Sequence, residues 1–147
     1  MMAELIRDRQ ITRENSPSGL PASRGWVSSN FGMRADPFNG QQAWHNGVDI
    51  AGKPGTDILA VAAGVVTFAG ERYGYGQLVE ITHENGYITR YGHNSDIYVE
   101  LGEIVQKGQV LAAMGSTGRS TGPHIHFEVY KNGRAVDPAS YIRRTIR

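Results

Sequence analysis

Glycine and short β-type runs dominate the sequence after about residue 20, and this pattern most narrows the folds open to the chain. Nineteen of the 147 residues are glycine, which takes positive φ angles freely and so serves tight turns and bulges. Between the turns lie runs of β-branched, aromatic and small apolar residues, namely DILAVAAGVVTFAG, QLVEITH, YITRYGH and HFEVY. The pattern predicts an all-β fold with an antiparallel sheet core of short strands, and no long helix after residue 17.

Turn signals and a change in amino-acid composition along the chain indicate its domain organisation. Asn85-Gly86 and Asn132-Gly133 follow β-type runs, as hairpin turns do. Residues 1–16 are polar and charged, and the breaker segment SPSGLP separates them from the glycine-rich part. We therefore predict a polar N-terminal arm over residues 1–19 and a single domain over residues 20–147, a length sufficient for a real core.

Charge and cysteine content limit the partners and the kinds of site. Lys and Arg number 15 against 14 Asp and Glu, with no basic patch, so nucleic acid is not an expected partner. The chain has no cysteine, which excludes disulfides and thiolate metal sites. Any metal site must therefore use His, Asp and Glu.

No stretch of the sequence predicts a membrane span or a secretory signal. The longest apolar stretch, ILAVAAGVVTFAG, falls short of the roughly 20 residues a spanning helix needs. The opening MMAELIRDRQ has charges where a signal peptide has its apolar region. We expect no membrane contact by this segment, which is either a cytoplasmic protein or a piece of a longer exported one.

The run GPHIHFEVY places two imidazoles on one face of a predicted strand. Residues two apart leave a strand on the same side, so His124 and His126 point together. Ile125, Phe127 and Val129 leave the opposite face, toward a core. A solvent-facing polar stripe is the alternative explanation. Glu128 shares the face of the histidines, where it could either orient a ligand imidazole or form a surface salt bridge.

A second candidate cluster lies in AWHNGVDIAG, where His45 and Asp49 are four residues apart. Asn46-Gly47 between them favours a loop or a bent strand start over a helix, and a tight backbone can still bring the two side chains together. Alone this spacing describes a surface turn equally well. With a His-x-His strand it supplies two His and one Asp, a ligand set suited to zinc with the fourth position open for water.

The two remaining histidines carry less information in isolation. His93 ends the run YITRYGH, and His83 stands at the mouth of a predicted hairpin. We assign no role to His83, which we expect to be a surface or packing residue. The chain has no His-Glu-x-x-His motif to offer a helical Glu as general base.

The segments HNGVD, YGH and GSTGRSTGPHIHFEV together resemble the lysostaphin/LytM-type zinc metallopeptidases. The resemblance covers about residues 25–141 and includes the order of the segments. It implies that His45, Asp49 and His126 bind Zn²⁺, and that His93 and His124 flank the catalytic water as proton-transfer or oxyanion-stabilising groups. It also implies the LytM-like fold (a duplicated hybrid motif), an antiparallel sheet with a narrow groove.

The same resemblance implies a function and a location. The family's members are endopeptidases of the peptide cross-links of bacterial cell-wall peptidoglycan, usually exported to the periplasm or cell envelope and often behind a membrane anchor. Some relatives lack the metal residues and stimulate other hydrolases, so a cell-wall-binding activator is the alternative function. A third interpretation, a carrier domain, rests on LGEIVQKGQVLAAMGSTG, but Lys107 does not occupy a typical carrier tip and a phosphocarrier would not need Asp49.

Overall fold

The computed structural model describes residues 15–35, 42–115 and 122–143. Most of the predicted N-terminal arm and residues 116–121 of the GSTGRSTG segment lie outside the described residues. The boundary between arm and domain at residue 19 therefore stays a prediction.

Within these ranges the chain forms twelve strands and one short helix, so the predicted all-β class is confirmed. No helix in the described ranges has the length and hydrophobicity of a membrane span. The strands are β1 (Trp26–Ser29), β2 (Gly32–Ala35), β3 (Gln42–His45), β4 (Val48–Ala51), β5 (Asp57–Leu59), β6 (Gly64–Arg72), β7 (Gly76–Thr82), β8 (Tyr87–Ile97), β9 (Ile104–Val105), β10 (Val110–Met114), β11 (His124–Lys131) and β12 (Arg134–Val136), and helix α1 is Ala139–Ile142.

Strand β11 lies in the middle of the main sheet. The sheet order is β1-β4-β11-β8-β7-β6-β9, while β10 pairs with β8 and β5, and β12 pairs with β11. Strands β2 and β3 form a separate two-stranded sheet. All strand pairings of the described residues are antiparallel. Since β11 pairs with both β4 and β8, it joins segments that are far apart in sequence.

Both predicted Asn-Gly hairpins are present. Asn85 and Gly86 have φ angles of 60° and 79°, and they connect β7 to β8. Asn132 and Gly133, with φ of 51° and 81°, connect β11 to β12. Positive φ at both central positions is what a type I′ turn requires, and Asn and Gly adopt it most readily.

The apolar run DILAVAAGVVTFAG is two strands rather than one. Strands β5 and β6 are separated by residues 60–63, of which Ala60, Val61 and Ala62 are buried. Ala60 donates its N–H to the carbonyl of Gln109 at 3.0 Å, so the connection satisfies its backbone against a neighbouring segment. The connection has the composition of a strand because three of its four residues are buried.

The two faces of β11 separate the core from the polar face. Ile125, Phe127 and Val129 are at most 1% exposed, as the alternation predicts. Phe127 packs against Tyr91 of β8 with ring centroids 5.4 Å apart. Burying each such side chain stabilises the fold by about 1.5–3 kcal/mol. This packing holds β11 in place, and its histidines project from the other face.

Candidate metal centre

Three strands bring His45, Asp49 and His126 to one point. His45 is the last residue of β3, Asp49 lies in β4, and His126 stands directly opposite Asp49 in the β4–β11 pairing. His126 Nδ1 is 2.9 Å from Asp49 Oδ1, and His45 Nε2 is 3.4 Å from the same oxygen. His45 Nε2 and His126 Nδ1 are 3.2 Å apart. The candidate ligand atoms of the three side chains lie within 4.8 Å of one another.

The turn between His45 and Asp49 depends on a close backbone approach. A Cβ added to Gly47 would lie 2.2 Å from the carbonyl oxygen of Phe127 and 2.9 Å from Glu128 Cγ. Contacts this short do not occur with a real side chain, so only glycine lets this turn lie against β11. The segment HNGVD therefore has its two candidate ligands on either side of a residue that must be small.

Hydrogen bonds to the outer ring nitrogens orient both imidazoles. His45 Nδ1 is 2.9 Å from the carbonyl oxygen of Asn30, which can only accept, so Nδ1 carries the proton and Nε2 faces Asp49. His126 Nε2 is 2.8 Å from the carboxylate of Glu128, so Nε2 carries a proton and Nδ1 faces Asp49. Each ring thus turns the nitrogen available for a metal toward the same carboxylate oxygen.

This donor set fits zinc. A tetrahedral site with bonds of about 2.0–2.1 Å has ligand atoms about 3.3 Å apart, close to the observed separations of 2.9–3.4 Å. The three side chains keep between 7% and 15% of their surface exposed, which leaves access from solvent. Two imidazole nitrogens and one carboxylate oxygen are ligand atoms that zinc accepts, and three protein ligands are the number typical of catalytic rather than structural zinc sites.

Charge within the cluster shifts the pKa of its members strongly. Burial alone would raise the pKa of Asp49, but hydrogen bonds from His126 and His45 hold that pKa far below its usual range. Burial lowers the pKa of His126, but hydrogen bonds to the Asp49 and Glu128 carboxylates outweigh it and raise the pKa to about 9. A proton on His126 thus balances the carboxylates when no cation is bound, and a metal must displace it.

His124 and His93 lie beside the three candidate ligands. His124 Nδ1 is 2.8 Å from the carbonyl oxygen of Gly122, so its Nε2 turns inward, 3.8 Å from Asp49 Oδ1. The His93 ring lies 4.9 Å from that of His124 and 6.1 Å from that of His126, between ring centroids. All five residues predicted from the sequence therefore converge, although their roles stay predictions.

The His93 backbone adopts a conformation that is uncommon for a residue with a side chain. Its φ is 66°, in the left-handed region. Its N–H bonds to the carbonyl of Tyr75 at 2.7 Å, which holds the residue in that conformation. Strained backbone of this kind costs about 1–3 kcal/mol and is concentrated at functional sites.

Glu128 resolves one alternative that the sequence left open. Its side chain is 2% exposed, so it does not form a surface salt bridge, and it contacts the His126 ring. Burial raises its pKa, but hydrogen bonds from His126, Tyr75 and Tyr130 outweigh that and lower it. Tyr75 had no sequence signal pointing to the site, and Glu128 and Tyr130 had only the strand face that they share with His126.

His83 lies away from this cluster and is a buried packing residue, in line with the sequence. Its Nδ1 is 2.8 Å from the Ala63 carbonyl and its Nε2 is 2.7 Å from the Thr89 hydroxyl. Lys107, the residue on which a carrier function would depend, donates a hydrogen bond to the Ser18 hydroxyl and is partly buried. Neither residue adds to the candidate metal centre.

Comparison with known proteins places the chain in a family. The chain matches the family described as Peptidase family M23 over residues 43–138. Two solved structures share the fold. The catalytic domain of the antimicrobial peptidase lysostaphin from Staphylococcus simulans is 31% identical, with a TM-score of 0.74 over 82% of this chain and 93% of that one. A zinc-containing peptidase from Vibrio cholerae is 32% identical, with a TM-score of 0.73 over 91% of this chain and 40% of that one.

Two curated relatives carry different names. The DD-carboxypeptidase/endopeptidase Mpg of Neisseria meningitidis is 46% identical over 114 residues, 78% of this chain and 26% of the relative. The murein hydrolase activator NlpD of Salmonella dublin is 37% identical over 141 residues, 95% of this chain and 37% of the relative. The chain thus spans between a quarter and two fifths of the length of these two proteins.

Proposed function

The chain belongs to peptidase family M23, and on that premise we propose that it is a zinc-dependent endopeptidase of peptidoglycan peptide cross-links. The observation that carries the proposal is the convergence of two imidazoles and a carboxylate on one point with two further imidazoles beside them. A binding module has no need of such a set.

In this proposal His45 Nε2, Asp49 Oδ1 and His126 Nδ1 hold the metal. When bound, zinc supplies a nucleophilic water near neutral pH and polarises the scissile carbonyl. The hydrogen bonds of the outer nitrogens to Asn30 and Glu128 hold a proton on those nitrogens, so His45 Nε2 and His126 Nδ1 are the nitrogens left to bind the metal, which displaces the proton of His126.

His93 and His124 are proposed to handle the proton. His124 donates from Nδ1 to the Gly122 carbonyl, so Nε2, on the side of Asp49, is the nitrogen that can accept a proton. His93 stands next to it and can donate to the leaving amine or to the developing oxyanion. The two roles are interchangeable between the rings on this geometry.

The proposal extends to the organisation and location of the protein. We assign residues 20–147 to the metallopeptidase domain and residues 1–19 to an arm. Because the substrate lies in the cell wall, we place the protein in the periplasm or cell envelope, where a longer natural chain could carry a membrane anchor.

An activator of other hydrolases is the second candidate, favoured by the similarity to murein hydrolase activator NlpD over 95% of this chain. The two candidates differ in whether metal and the five site residues matter. An activator needs only a surface, whereas an endopeptidase needs the zinc.

The test combines metal analysis with digestion of purified sacculi. Protein purified without added metal should contain about one zinc per chain, and it should convert cross-linked muropeptide dimers to monomers while leaving glycan strands intact. Chelator treatment should abolish the conversion and added zinc should restore it. If chelated and zinc-loaded protein instead produce the same muropeptide profile, and both stimulate a co-incubated hydrolase, the activator function replaces this proposal.

A further inference from the structure

A row of alternating charges crosses the sheet behind the candidate metal centre. Glu128 of β11 is directly opposite Arg90 of β8, and Arg90 is directly opposite Glu80 of β7. Directly paired residues share a face, so the row stands on the same face as His126, which is two residues from Glu128. Arg90 Nε is 2.9 Å from Glu80 Oε2, and Arg90 Nη1 is 3.7 Å from Glu128 Oε1.

Glu128 is the buried end of this row and has donors on all sides. The Tyr75 hydroxyl donates to its two oxygens at 2.9 and 3.1 Å, and the Tyr130 hydroxyl donates at 3.0 Å. His126 Nε2 donates at 2.8 Å. A carboxylate that is 2% exposed is stable only when it is paired in this way. These donors contact both oxygens of the carboxylate and so restrain its position.

The Tyr75 ring that contacts Glu128 packs closely against a glycine of β8. Gly92 is directly opposite His126 on β8. A Cβ at Gly92 would lie 3.3 Å from both Cδ1 and the carbonyl oxygen of Tyr75. The Tyr75 ring thus lies against this glycine, 5.9 Å from the His126 ring between centroids.

Arg90 is itself held in place. Its guanidinium lies over the Tyr130 ring, with Cζ 4.7 Å from the centroid, and it donates to the Tyr75 hydroxyl at 3.2 Å. The planar guanidinium combines stacking with directed donors, which a lysine ammonium cannot do. Beyond Arg90, Glu80 also accepts from the Thr67 hydroxyl at 2.7 Å.

We propose that Glu128 is a positioning residue of the metal centre, clamped by Tyr75, Tyr130 and Arg90 so that it fixes the tautomer and the orientation of His126. By accepting the Nε2 proton, Glu128 leaves Nδ1 as the nitrogen that faces Asp49. The inference rests on the proposed function only in assigning a metal to His45, Asp49 and His126. Substitution of a positioning residue should change metal affinity, whereas substitution of a residue in a purely structural ion pair would change only stability.

Glu128→Gln tests this, with Glu80→Gln as the matched control. Both substitutions remove one carboxylate charge from the same row, but Glu80 does not contact His126. We expect the zinc dissociation constant, measured by competition with a chelating dye, to rise about 10- to 100-fold in Glu128→Gln and less than about threefold in Glu80→Gln. The visible absorption of the cobalt-substituted protein should change in Glu128→Gln only.

A second variant covers the case in which Glu128→Gln does not fold. Tyr75→Phe removes one donor to Glu128 from a half-buried ring, and it should weaken zinc binding by several-fold. Wild-type protein that binds no zinc would contradict the proposed function itself. If the wild type binds zinc while every folded variant of Glu128 and Tyr75 binds it equally tightly with an unchanged cobalt spectrum, the positioning role is wrong and the proposed function stands.

Discussion

His124 and His126 leave the same face of β11 but have different partners. His126 Nδ1 is 2.9 Å from Asp49 Oδ1, and its Nε2 contacts Glu128. His124 Nε2 is 3.8 Å from the same Asp49 oxygen, and its ring lies beside His93. On this geometry His126 is suited to bind metal and His124 to handle a proton.

Substitution should separate the two histidines. We expect His126→Ala to lose most of its zinc and nearly all activity. His124→Ala should keep its zinc and lose about 10²- to 10⁴-fold in turnover, the usual worth of a positioned acid or base. Zinc content and turnover are measured on the same preparations. The opposite pattern, with zinc lost from His124→Ala and kept by His126→Ala, would reverse the assignment.

The same test at His93 requires a residue that accepts the positive φ angle at this position. Asparagine adopts left-handed conformations more readily than most residues, so His93→Asn removes the imidazole without adding strain at φ 66°. It should retain zinc and the wild-type melting temperature but lose activity about as His124→Ala does. Retained turnover in this variant would remove His93 from the proposed chemistry.

His83 should make stability fall on acidification. Burial lowers its pKa, while the hydrogen bond to the Ala63 carbonyl partly offsets this. In the unfolded chain His83 has its ordinary pKa of about 6.5, so below that pH the unfolded chain binds more protons than the folded one. The stability contributed by neutral His83 is therefore lost as the pH falls from about 6.5 through the lowered pKa of the folded state. The second ring nitrogen of His83 contacts the uncharged Thr89 hydroxyl, which donates to the Tyr91 hydroxyl. Burial raises the pKa of Tyr91 to about 12, so Tyr91 stays uncharged over this pH range.

The comparison that isolates this effect is between wild type and His83→Gln. Urea unfolding at pH 7, 6 and 5 should show a smaller loss of stability in the variant, by at most about 1.4 kcal/mol per pH unit for one proton. Parallel pH profiles in the two proteins would show that His83 does not contribute.

At the level of elements, the site depends on how closely the β3–β4 turn approaches β11. The Phe127 carbonyl that a side chain at Gly47 would strike belongs to the residue beside His126. The turn can move away only by separating His45 and Asp49 from their partner on β11. One small residue therefore decides whether the three candidate ligands meet.

Gly47→Ala should consequently lower both stability and zinc affinity. Gly133→Ala is the control, because Gly133 has φ 81° and no atom within 4 Å of an added Cβ. In the control, the strain of alanine in a left-handed conformation should lower the free energy of unfolding by only about 1–2 kcal/mol, and zinc affinity should be unchanged. Chelator competition and urea unfolding measure the two quantities. Wild-type zinc affinity in Gly47→Ala would show that the close approach does not control the site.

For the whole molecule, the candidate ligands join parts of the chain that only the folded state brings together. Asp49 and His126 are 77 residues apart in sequence, and their pairing exists only once β4 and β11 have joined the sheet. A metal bound by both should therefore bind the folded chain in preference to the unfolded one and stabilise it.

Zinc should raise the melting temperature of the wild type. At a free zinc concentration 100 times the dissociation constant, linkage adds about 2.7 kcal/mol, which corresponds to about 5–10 °C for a domain of this size. His126→Ala should show little shift under the same conditions. An equal shift in both proteins would indicate that zinc binds elsewhere.

Local pattern determined much of this protein. The type I′ hairpins at Asn85-Gly86 and Asn132-Gly133 follow from residues that accept positive φ. The core face of β11 follows from the period of two in HIHFEV. The five candidate site residues could be named because histidines are few and the segments that contain the five residues resemble the motifs of a known family. Local pattern failed in DILAVAAGVVTFAG, where a buried connection has the same composition as a strand.

Only the tertiary structure decided which nitrogen of His126 faces Asp49, that Glu128 is buried rather than exposed, and that Tyr75 and Arg90 stand behind it. These contacts depend on the register of β11 with β4 and β8, and on the glycine at position 92 that makes room for the Tyr75 ring. Register between strands is set by packing over the whole sheet. A sequence shows which face a side chain leaves, but the partner it meets there depends on a strand many residues away.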